Sequence, residues 1–261
     1  MMESIPMRTC TLRALCLLCF AACFAGGTAR AQEVDLEALA TLDAVDRVRF
    51  PSDSFEVRVT ITSTAPGRDP EVREYQVLSK GNENTLVITT APASERGQVL
   101  LMRGRDLWVY SPRLSQPVRL PLSQRLTGQV ANGDLARANF SGDYNARVLR
   151  DETLQKRKYA VLELNAIDGS VTYSRVLLWV DRVGNQPLKA EFYALSGRLL
   201  KTAQYLNYAK LDNTVRPTQL VMEDALKKGE VSVLRYSQMS AKELPDRVFT
   251  KQYMDKLNRV D

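Results

Sequence analysis

A repeating alternation of short strand-like runs and turn residues dominates the sequence between Phe55 and Met239. The runs are rich in β-branched and aromatic residues, and the breaks between them contain Gly, Asn, Asp or Pro, as at Asp168-Gly169, Gly184-Asn185 and Ser196-Gly197. The breaks come roughly every 8–14 residues, which is typical of an antiparallel meander and leaves no room for helices between parallel strands. The pattern therefore predicts about 10–11 strands that follow one another in a single sheet.

The clearest predicted strand is Phe55–Ile61, where apolar and polar residues alternate over seven positions. A hairpin follows later, with strands at Val99–Met102 and Leu107–Tyr110 around a turn at residues 103–106. Both faces of that hairpin are apolar, so we expect cover on both sides. The other predicted strands are Val72–Ser79, Thr85–Thr90, Arg147–Leu154, Tyr159–Leu164, Thr172–Val180, Pro187–Ala194, Leu199–Leu206, Pro217–Asp224 and Glu230–Met239.

Three segments have helical character. Val34–Val48 carries an apolar stripe with acids early and arginines late, an order that suits the helix dipole. Asp134–Phe140 is a predicted short helix with Asp134 as its N-cap, and Phe249–Val260 is a predicted closing helix. A sheet of this length must curl. We therefore predict an α+β, mainly β fold: a curved antiparallel sheet, or half-open β-barrel, wrapped around helices.

The N-terminal residues have the features of a cleaved secretory signal. Arg8 and Arg13 precede an apolar stretch, Ala14–Ala25, and Ala29-Arg30-Ala31 is a small-x-small cleavage site. The apolar stretch is shorter than the roughly 20 residues needed to cross a bilayer. We expect residues 1–31 to be removed, leaving a single domain at residues 32–261. A lipidated Cys23 after a loose lipobox is the alternative.

Composition excludes several kinds of chemistry. The chain has no histidine, and all four cysteines lie in the expected signal, so the mature protein would have no disulfide and no thiolate nucleophile. The net charge of +6 is mild and spread along the chain, which gives no nucleic-acid footprint. We find no catalytic motif and no metal or cofactor site, and we predict that the protein is not an enzyme.

The apolar residues offer candidates for a binding site. Phe55, Val57, Val59 and Ile61 share one face of the first strand, and Trp108 and Tyr110 share one face of the hairpin. We predict that these six side chains line an apolar ligand-binding cavity. Ordinary core packing is the alternative.

Several ordered segments resemble the LolA-like outer-membrane lipoprotein-sorting family. They are Gly104–Pro112, Ser123–Arg125, Gly133–Leu135, Phe140–Tyr144, Phe192–Thr202, Arg216–Thr218 and Phe249–Tyr253. The resemblance spans roughly residues 50–255, and it implies a half-open barrel around helices with an apolar cavity, which agrees with the meander.

The resemblance further implies a periplasmic, non-catalytic carrier that binds the acyl chains of a lipoprotein or lipid and shuttles them towards the outer membrane. An inner-membrane exporter of the resistance–nodulation–division type and an outer-membrane acceptor are its implied partners. A carrier predicts a cavity of several hundred Å³ under helices that act as a movable lid. The alternative is a sensor or exporter-accessory protein that uses the same fold to bind protein, which predicts a filled interior and an exposed apolar patch.

Overall fold

The computed structural model describes residues 35–257, except residues 52, 82, 138 and 212. The expected signal at residues 1–31 and the alternative lipidation site at Cys23 lie outside the described residues. Among the described residues, no helix has both the length and the apolar character needed to cross a membrane.

Fifteen strands and three α-helices follow one another along the described residues. The helices are α1 (Leu36–Arg49), α2 (Asn132–Ala136) and α3 (Lys251–Leu257), with 3-10 turns at Ala93–Glu95 and Asp246–Phe249. The first eight strands are β1 (Ser54–Thr64), β2 (Glu71–Lys80), β3 (Asn84–Ala91), β4 (Val99–Arg103), β5 (Asp106–Tyr110), β6 (Val118–Leu120), β7 (Arg125–Thr127) and β8 (Val130–Ala131). The remaining strands are β9 (Tyr144–Leu154), β10 (Arg157–Ala166), β11 (Arg175–Asp181), β12 (Pro187–Tyr193), β13 (Leu199–Leu211), β14 (Thr214–Asp224) and β15 (Val231–Ala241).

Thirteen of these strands form one curved antiparallel sheet in the order β6-β5-β4-β3-β2-β1-β15-β14-β13-β12-β11-β10-β9. Two meanders, β1–β6 and β9–β15, meet at a central seam where β1 pairs with β15, from Phe55 opposite Ala241 to Thr64 opposite Val231. The sheet is not closed into a barrel, and β6 and β9 are its edges. β7 and β8 form a separate hairpin.

The predicted fold class is confirmed, and the strand number is corrected from about 10–11 to thirteen in the main sheet. Of the thirteen, only β6 has no counterpart among the predicted strand ranges; it is three residues long between Pro117 and Pro121, too short to show a period. β14 begins at Thr214, before the predicted start at Pro217. A proline is tolerated there because β14 pairs with β15 only from Gln219 onward.

The helix predictions are confirmed in outline and corrected in detail. α1 covers residues 36–49, close to the predicted segment. α2 begins at Asn132, so Asp134 lies inside the helix and is not its N-cap; its carboxylate instead accepts a hydrogen bond from the Ala131 N–H at 2.8 Å. The closing helix begins later than predicted: a 3-10 turn at Asp246–Phe249 precedes α3, which starts at Lys251.

The sheet has an inner face, towards α1 and α2, and an outer face. The largest apolar cluster fills the inner face and includes Leu42 and Val45 of α1 and Leu135 of α2. A second cluster lies on the outer face of β2–β5, where Val248, Phe249 and Met254 cover the strands. α3 therefore packs outside the sheet, which corrects the expectation that all the helices lie against its inner face.

The β4–β5 hairpin is confirmed, with a tight turn at Gly104-Arg105 and Gly104 in a left-handed conformation at φ = 59°. Leu107 and Val109 join the inner cluster, while Tyr110 joins the outer one with Trp108 packed against it. Cover on both faces is thus observed. A third cluster, Tyr159, Val161, Leu177 and Trp179, occupies the outer face of β10 and β11.

Candidate functional site

Helix α1 is fixed to the edge of the sheet at its N-terminus. The Asp35 carboxylate caps the helix by accepting from the Ala38 N–H at 2.9 Å, and its other oxygen accepts from the Val148 N–H of edge strand β9 at 2.8 Å. These backbone hydrogen bonds, to Ala38 first and then to Val148, lower the pKa of Asp35. Glu37 adds an ion pair with Arg182, which also binds Asp151 at 2.7 Å.

The C-terminal half of α1 is fixed by buried polar groups. Asp46 accepts hydrogen bonds from the backbone N–H groups of Phe140, at 2.9 Å, and Ser141, at 2.7 Å. Burial raises the pKa of Asp46, and the charge of Arg49 together with the Ser141 N–H opposes that rise. Arg216 of β14 donates to the carbonyl oxygens of Arg47 and Val48, at 2.6 and 3.1 Å, and so caps the end of the helix.

Arg49 is the last residue of α1 and is buried among side chains of the inner cluster. Its guanidinium pairs with Asp46 at 3.3 Å and lies over the ring of Phe140, 4.5 Å from the centroid, with the rings of Tyr205 and Phe50 at 5.5 and 5.6 Å. Aromatic faces attract cations, most strongly where water is excluded. Arg49 thus lets α1 cover an aromatic surface while keeping its charge.

Asp134 links α2 to the sheet. Besides the Ala131 N–H, its carboxylate accepts from the Tyr173 hydroxyl at 2.7 Å and from Lys201 Nζ at 3.2 Å. Burial raises the pKa of Tyr173 well above its ordinary value, and the Asp134 charge raises it further, so the phenol stays protonated and donates to the carboxylate. Lys201 also donates to the Gln129 carbonyl.

Glycine is required where α2 meets the sheet. A Cβ atom at Gly133 would lie 2.0 Å from Oγ1 of Thr172 and 3.0 Å from its Cβ, closer than van der Waals contact allows. The close approach places Asp134 within reach of Tyr173, the next residue along the chain from Thr172.

The β4–β5 turn is joined to the start of the second meander by ion pairs. Asp143, which is buried, accepts from Arg105 at 2.8 Å and from Arg137, whose Nη1 also donates to the Gly104 carbonyl at 3.0 Å. Arg105 reaches Asp168 at 3.1 Å. Arg137 also lies 3.8 Å from a carboxylate oxygen of Glu83, so the two arginines face three carboxylates.

Two small cavities lie between the helices and the inner face. The first has a volume of about 30 Å³ and is mainly apolar, with Phe50, Phe55, Val57, Val59, Val77, Leu135 and Tyr236 in its lining. The second, about 20 Å³, is more polar and is lined by Arg49, Arg137, Asp143, Tyr173 and Tyr205 among others. Asp134 and Asn139 line both. Small-molecule pockets measure about 300–1,000 Å³, so each of these two cavities, lined by described residues, is far smaller than the expected several hundred Å³.

The structure brings three of the six predicted lining residues together: Phe55, Val57 and Val59 line the first cavity. Ile61 is buried in the same inner cluster but lines neither cavity. Trp108 and Tyr110 lie on the other face of the sheet, opposite Leu101 and Val99, against the C-terminal segment. Their expected place in the cavity is therefore corrected. That Phe55, Val57 and Val59 bind a ligand stays a prediction.

The polar residues of the site were not predicted from the sequence. Asp46 and Arg49 fall on the same helical stripe as Leu42 and Val45, and all four are buried. A charged pair three residues apart within an apolar stripe is a signal that a helical projection shows. Asp134, Tyr173 and Lys201 carry no comparable signal, because they come from three distant segments.

The arrangement is suited to binding and to opening. The inner charged groups named above are matched by counter-ions or backbone N–H groups. Among the described residues, no cluster of three or more acidic residues is placed to hold a metal ion. The helices cover an apolar surface and are fixed by polar contacts at their ends. A layer held in this way can separate from the sheet without breaking strand pairing.

Comparisons with known proteins agree with this architecture. A family model described as an uncharacterized protein matches residues 81–256. A solved LolA superfamily protein from Nitrosomonas europaea shares 59% sequence identity with a TM-score of 0.80, over 83% of this chain and 98% of that one. No curated protein sequence matches significantly.

Two more distant structures share the fold at 22% identity and a TM-score of 0.72. One is a DUF1329 family protein from Desulfovibrio piger, covering 83% of this chain and 97% of that one. The other is a putative outer membrane lipoprotein-sorting protein domain from Vibrio parahaemolyticus, covering 84% and 98%.

Proposed function

Because the chain belongs to the LolA superfamily, we propose that it is a non-catalytic periplasmic carrier. It binds the acyl chains of a lipoprotein or lipid between the inner face and the helices, and moves them towards the outer membrane. Removal of residues 1–31 during export, leaving one domain at residues 32–261, belongs to the proposal. So do an inner-membrane exporter of the resistance–nodulation–division type as donor and an outer-membrane acceptor.

The observation that carries the proposal is the apolar surface beneath α1 and α2. Phe50, Phe55, Val57 and Val59 meet there around an unfilled space, while the helices are fixed to the sheet chiefly by Asp35, Asp46, Asp134 and Arg216. An acyl chain of ~16 carbons gains roughly 12 kcal/mol when it leaves water for an apolar site, at about 0.8 kcal/mol per methylene. This gain is large enough to offset the loss of several buried hydrogen bonds.

Since the two cavities are far smaller than an acyl chain, binding requires α1 and α2 to move away from the sheet. In the described structure the helices lie against the sheet, which corresponds to a closed form. We expect α1 to act as the lid, because its N-terminus is held at edge strand β9 and its C-terminus at the loop after α2.

Uptake of a fluorescent fatty acid by the delipidated protein tests the proposal. Wild type should bind it saturably, and Ala136→Leu, which fills the first cavity from α2, should bind it about tenfold more weakly. Ala209→Leu makes the same change at an exposed position on β13 and should bind like wild type. Absence of uptake by wild type, together with absence of acyl species in native mass spectra of protein from the periplasm, would exclude the carrier.

A second candidate function is favoured by the nearly filled interior. A sensor or exporter-accessory protein would use the same fold to bind another protein and would need no opening. It predicts equal fatty-acid uptake, at background level, for wild type, Ala136→Leu and Ala209→Leu.

A further inference from the structure

Three neighbouring turns form an exposed rim at one end of the sheet, which we call the leucine rim. It consists of residues 65–70 between β1 and β2, residues 194–198 between β12 and β13, and residues 225–230 between β14 and β15. The register places them together, because Thr64 pairs with Val231 and Lys201 pairs with Asp224. The Ala225 N–H donates to the Leu200 carbonyl at 3.0 Å.

Two of these turns present a leucine at the tip. Leu195 is 91% exposed and Leu226 is 65% exposed. Both turns are held by hydrogen bonds: Gly197 N–H to the Ala194 carbonyl at 2.9 Å, and the N–H groups of Leu226 and Lys227 to Asp224 at 2.8 and 2.9 Å. Hairpins two strands apart are separated by about 10 Å, so the two leucines form a pair projecting from one rim.

The charge around the leucines is mainly positive. Arg68, Arg198, Lys227 and Lys228 are exposed on the three turns, and Asp69 is their one exposed acid. Glu230 is half-buried and accepts from Gln129 at 2.9 Å, with Lys227 3.4 Å away. Within the three turns, the rim thus combines projecting apolar side chains with four cations and two acids, a net charge of +2, and the exposed Glu71 and Glu223 lie beside it.

We propose that the leucine rim docks the protein on an anionic lipid bilayer. Turn tips normally carry polar residues. A leucine side chain exposed to water at a turn tip is unfavourable. At a bilayer surface, Leu195 and Leu226 enter the boundary between headgroups and acyl chains, while the lysines and arginines remain among the lipid phosphates. This inference adds to the proposed carrier function and does not depend on it, because it concerns the bilayer surface and not the cargo between sheet and helices.

Flotation with lipid vesicles tests the docking. Wild type should float with vesicles of equimolar phosphatidylglycerol and phosphatidylcholine, less with phosphatidylcholine alone, and less as salt is raised. The double variant Leu195→Ser/Leu226→Ser should lower the apparent affinity about tenfold or more. Lys227→Gln/Lys228→Gln should lower it by roughly tenfold at low salt.

The matched control is Val183→Ser. Val183 is 92% exposed, in the turn between β11 and β12. The strand β12 runs from that turn to residues 194–198, so the turn with Val183 lies at the end of the sheet opposite the leucine rim. Val183→Ser should therefore float like wild type. Fatty-acid uptake should be unchanged in all three variants, so a failure of docking is distinguishable from a failure of the carrier.

Two outcomes would overturn the proposal. One is wild type that does not float with anionic vesicles, as expected if the rim binds a protein. The other is equal flotation of the leucine double variant and Val183→Ser, which would show that the leucines do not enter the bilayer.

Discussion

Asp46 is a buried carboxylate whose partners are backbone groups of another segment. It is 5% exposed, and the N–H groups of Phe140 and Ser141 both point at it. A buried carboxylate without partners would cost several kcal/mol, and backbone N–H groups left without an acceptor are costly as well. Asp46 and residues 139–141 therefore hold each other in place, which couples α1 to the segment after α2.

Replacing Asp46 with alanine should lower the free energy of unfolding by about 2–4 kcal/mol, because two buried N–H groups lose a charged acceptor. The same variant should take up fatty acid faster, since the lid is less firmly held. Urea unfolding and stopped-flow uptake measure the two effects. Asp43→Ala, three residues earlier at an exposed position of α1, is the control and should differ little from wild type. Equal destabilisation in both would refute the role of Asp46.

Asp35 should make the attachment of α1 sensitive to acid. Its pKa is lowered in the folded protein by the N–H groups of Ala38 and Val148, so the stability that it contributes is present above the unfolded pKa near 4 and is lost as pH falls through the lower folded value. Asp35→Asn should cost about 1 kcal/mol at neutral pH, because an amide has one acceptor oxygen where the carboxylate serves two N–H groups, and the difference in stability from wild type should narrow below about pH 4. Urea unfolding across pH measures this, and a difference that stays constant with pH would contradict it.

For single residues, prediction from sequence depended on the alternation of apolar and polar residues along a strand. The period of two in Phe55–Ile61 identifies which residues share a face, and the structure buries all four apolar ones on the inner face. For the hairpin, where both faces are apolar, alternation separates Trp108 and Tyr110 from Leu107 and Val109 but does not say which pair faces inward. That choice depends on the C-terminal segment, some 140 residues further along the chain.

Helix α2 is an element that exists only through its tertiary contacts. With five residues it has little helical stability of its own. Gly133 lies against Thr172 and Asp134 accepts from Tyr173, two residues that are adjacent in sequence; Asp134 also accepts from Lys201 of β13. The position of the helix, and with it the lining of both cavities, depends on this contact.

Gly133→Ala should displace α2 and lower the free energy of unfolding by about 1–3 kcal/mol, because the added methyl group meets Thr172. Gly169→Ala, in the loop between β10 and β11, is the control, since a Cβ there meets nothing within 4 Å. Its effect should stay within about 0.5 kcal/mol. Thermal or urea unfolding distinguishes them, and an unaffected Gly133→Ala would show that α2 tolerates movement.

At the element scale, long strands were predictable and short elements were not. β1, β2 and β10 span at least ten residues each, enough to show a period. β6, β7 and β8 have two or three residues, too few to show a period, although their partners are near in sequence: β6 pairs with β5, and β7 pairs with β8. The start of α2 was misplaced because Asp134 has the chemistry of an N-cap but uses it from inside the helix.

For the molecule as a whole, the sheet separates two apolar regions. The inner cluster contains the cavities, and the outer cluster under Phe249 contains none of their lining residues. A change on the outer face should therefore lower the free energy of unfolding without altering ligand binding on the inner face.

Phe249→Ala should lower the free energy of unfolding by about 3–5 kcal/mol, because its side chain is 2% exposed within the outer cluster. Trp108 packs against that cluster, so its emission should shift to longer wavelength. Fatty-acid uptake by the folded fraction should equal that of wild type. An uptake defect as large as that of Ala136→Leu would show that the two faces are coupled.

The seam between β1 and β15 also sets the order in which the chain can fold. The ribosome makes the N-terminal meander first. One side of β1 can then pair with β2, but its other side has no partner until β15, the last of the described strands, has been made. Contacts this distant in sequence form slowly, and an unpaired strand edge invites pairing with other chains. The side of β1 that pairs with β15 therefore has no partner strand until the end of the chain has been made, and the yield in the cell should depend on factors that shield nascent β-strands as well as on the stability of the finished fold.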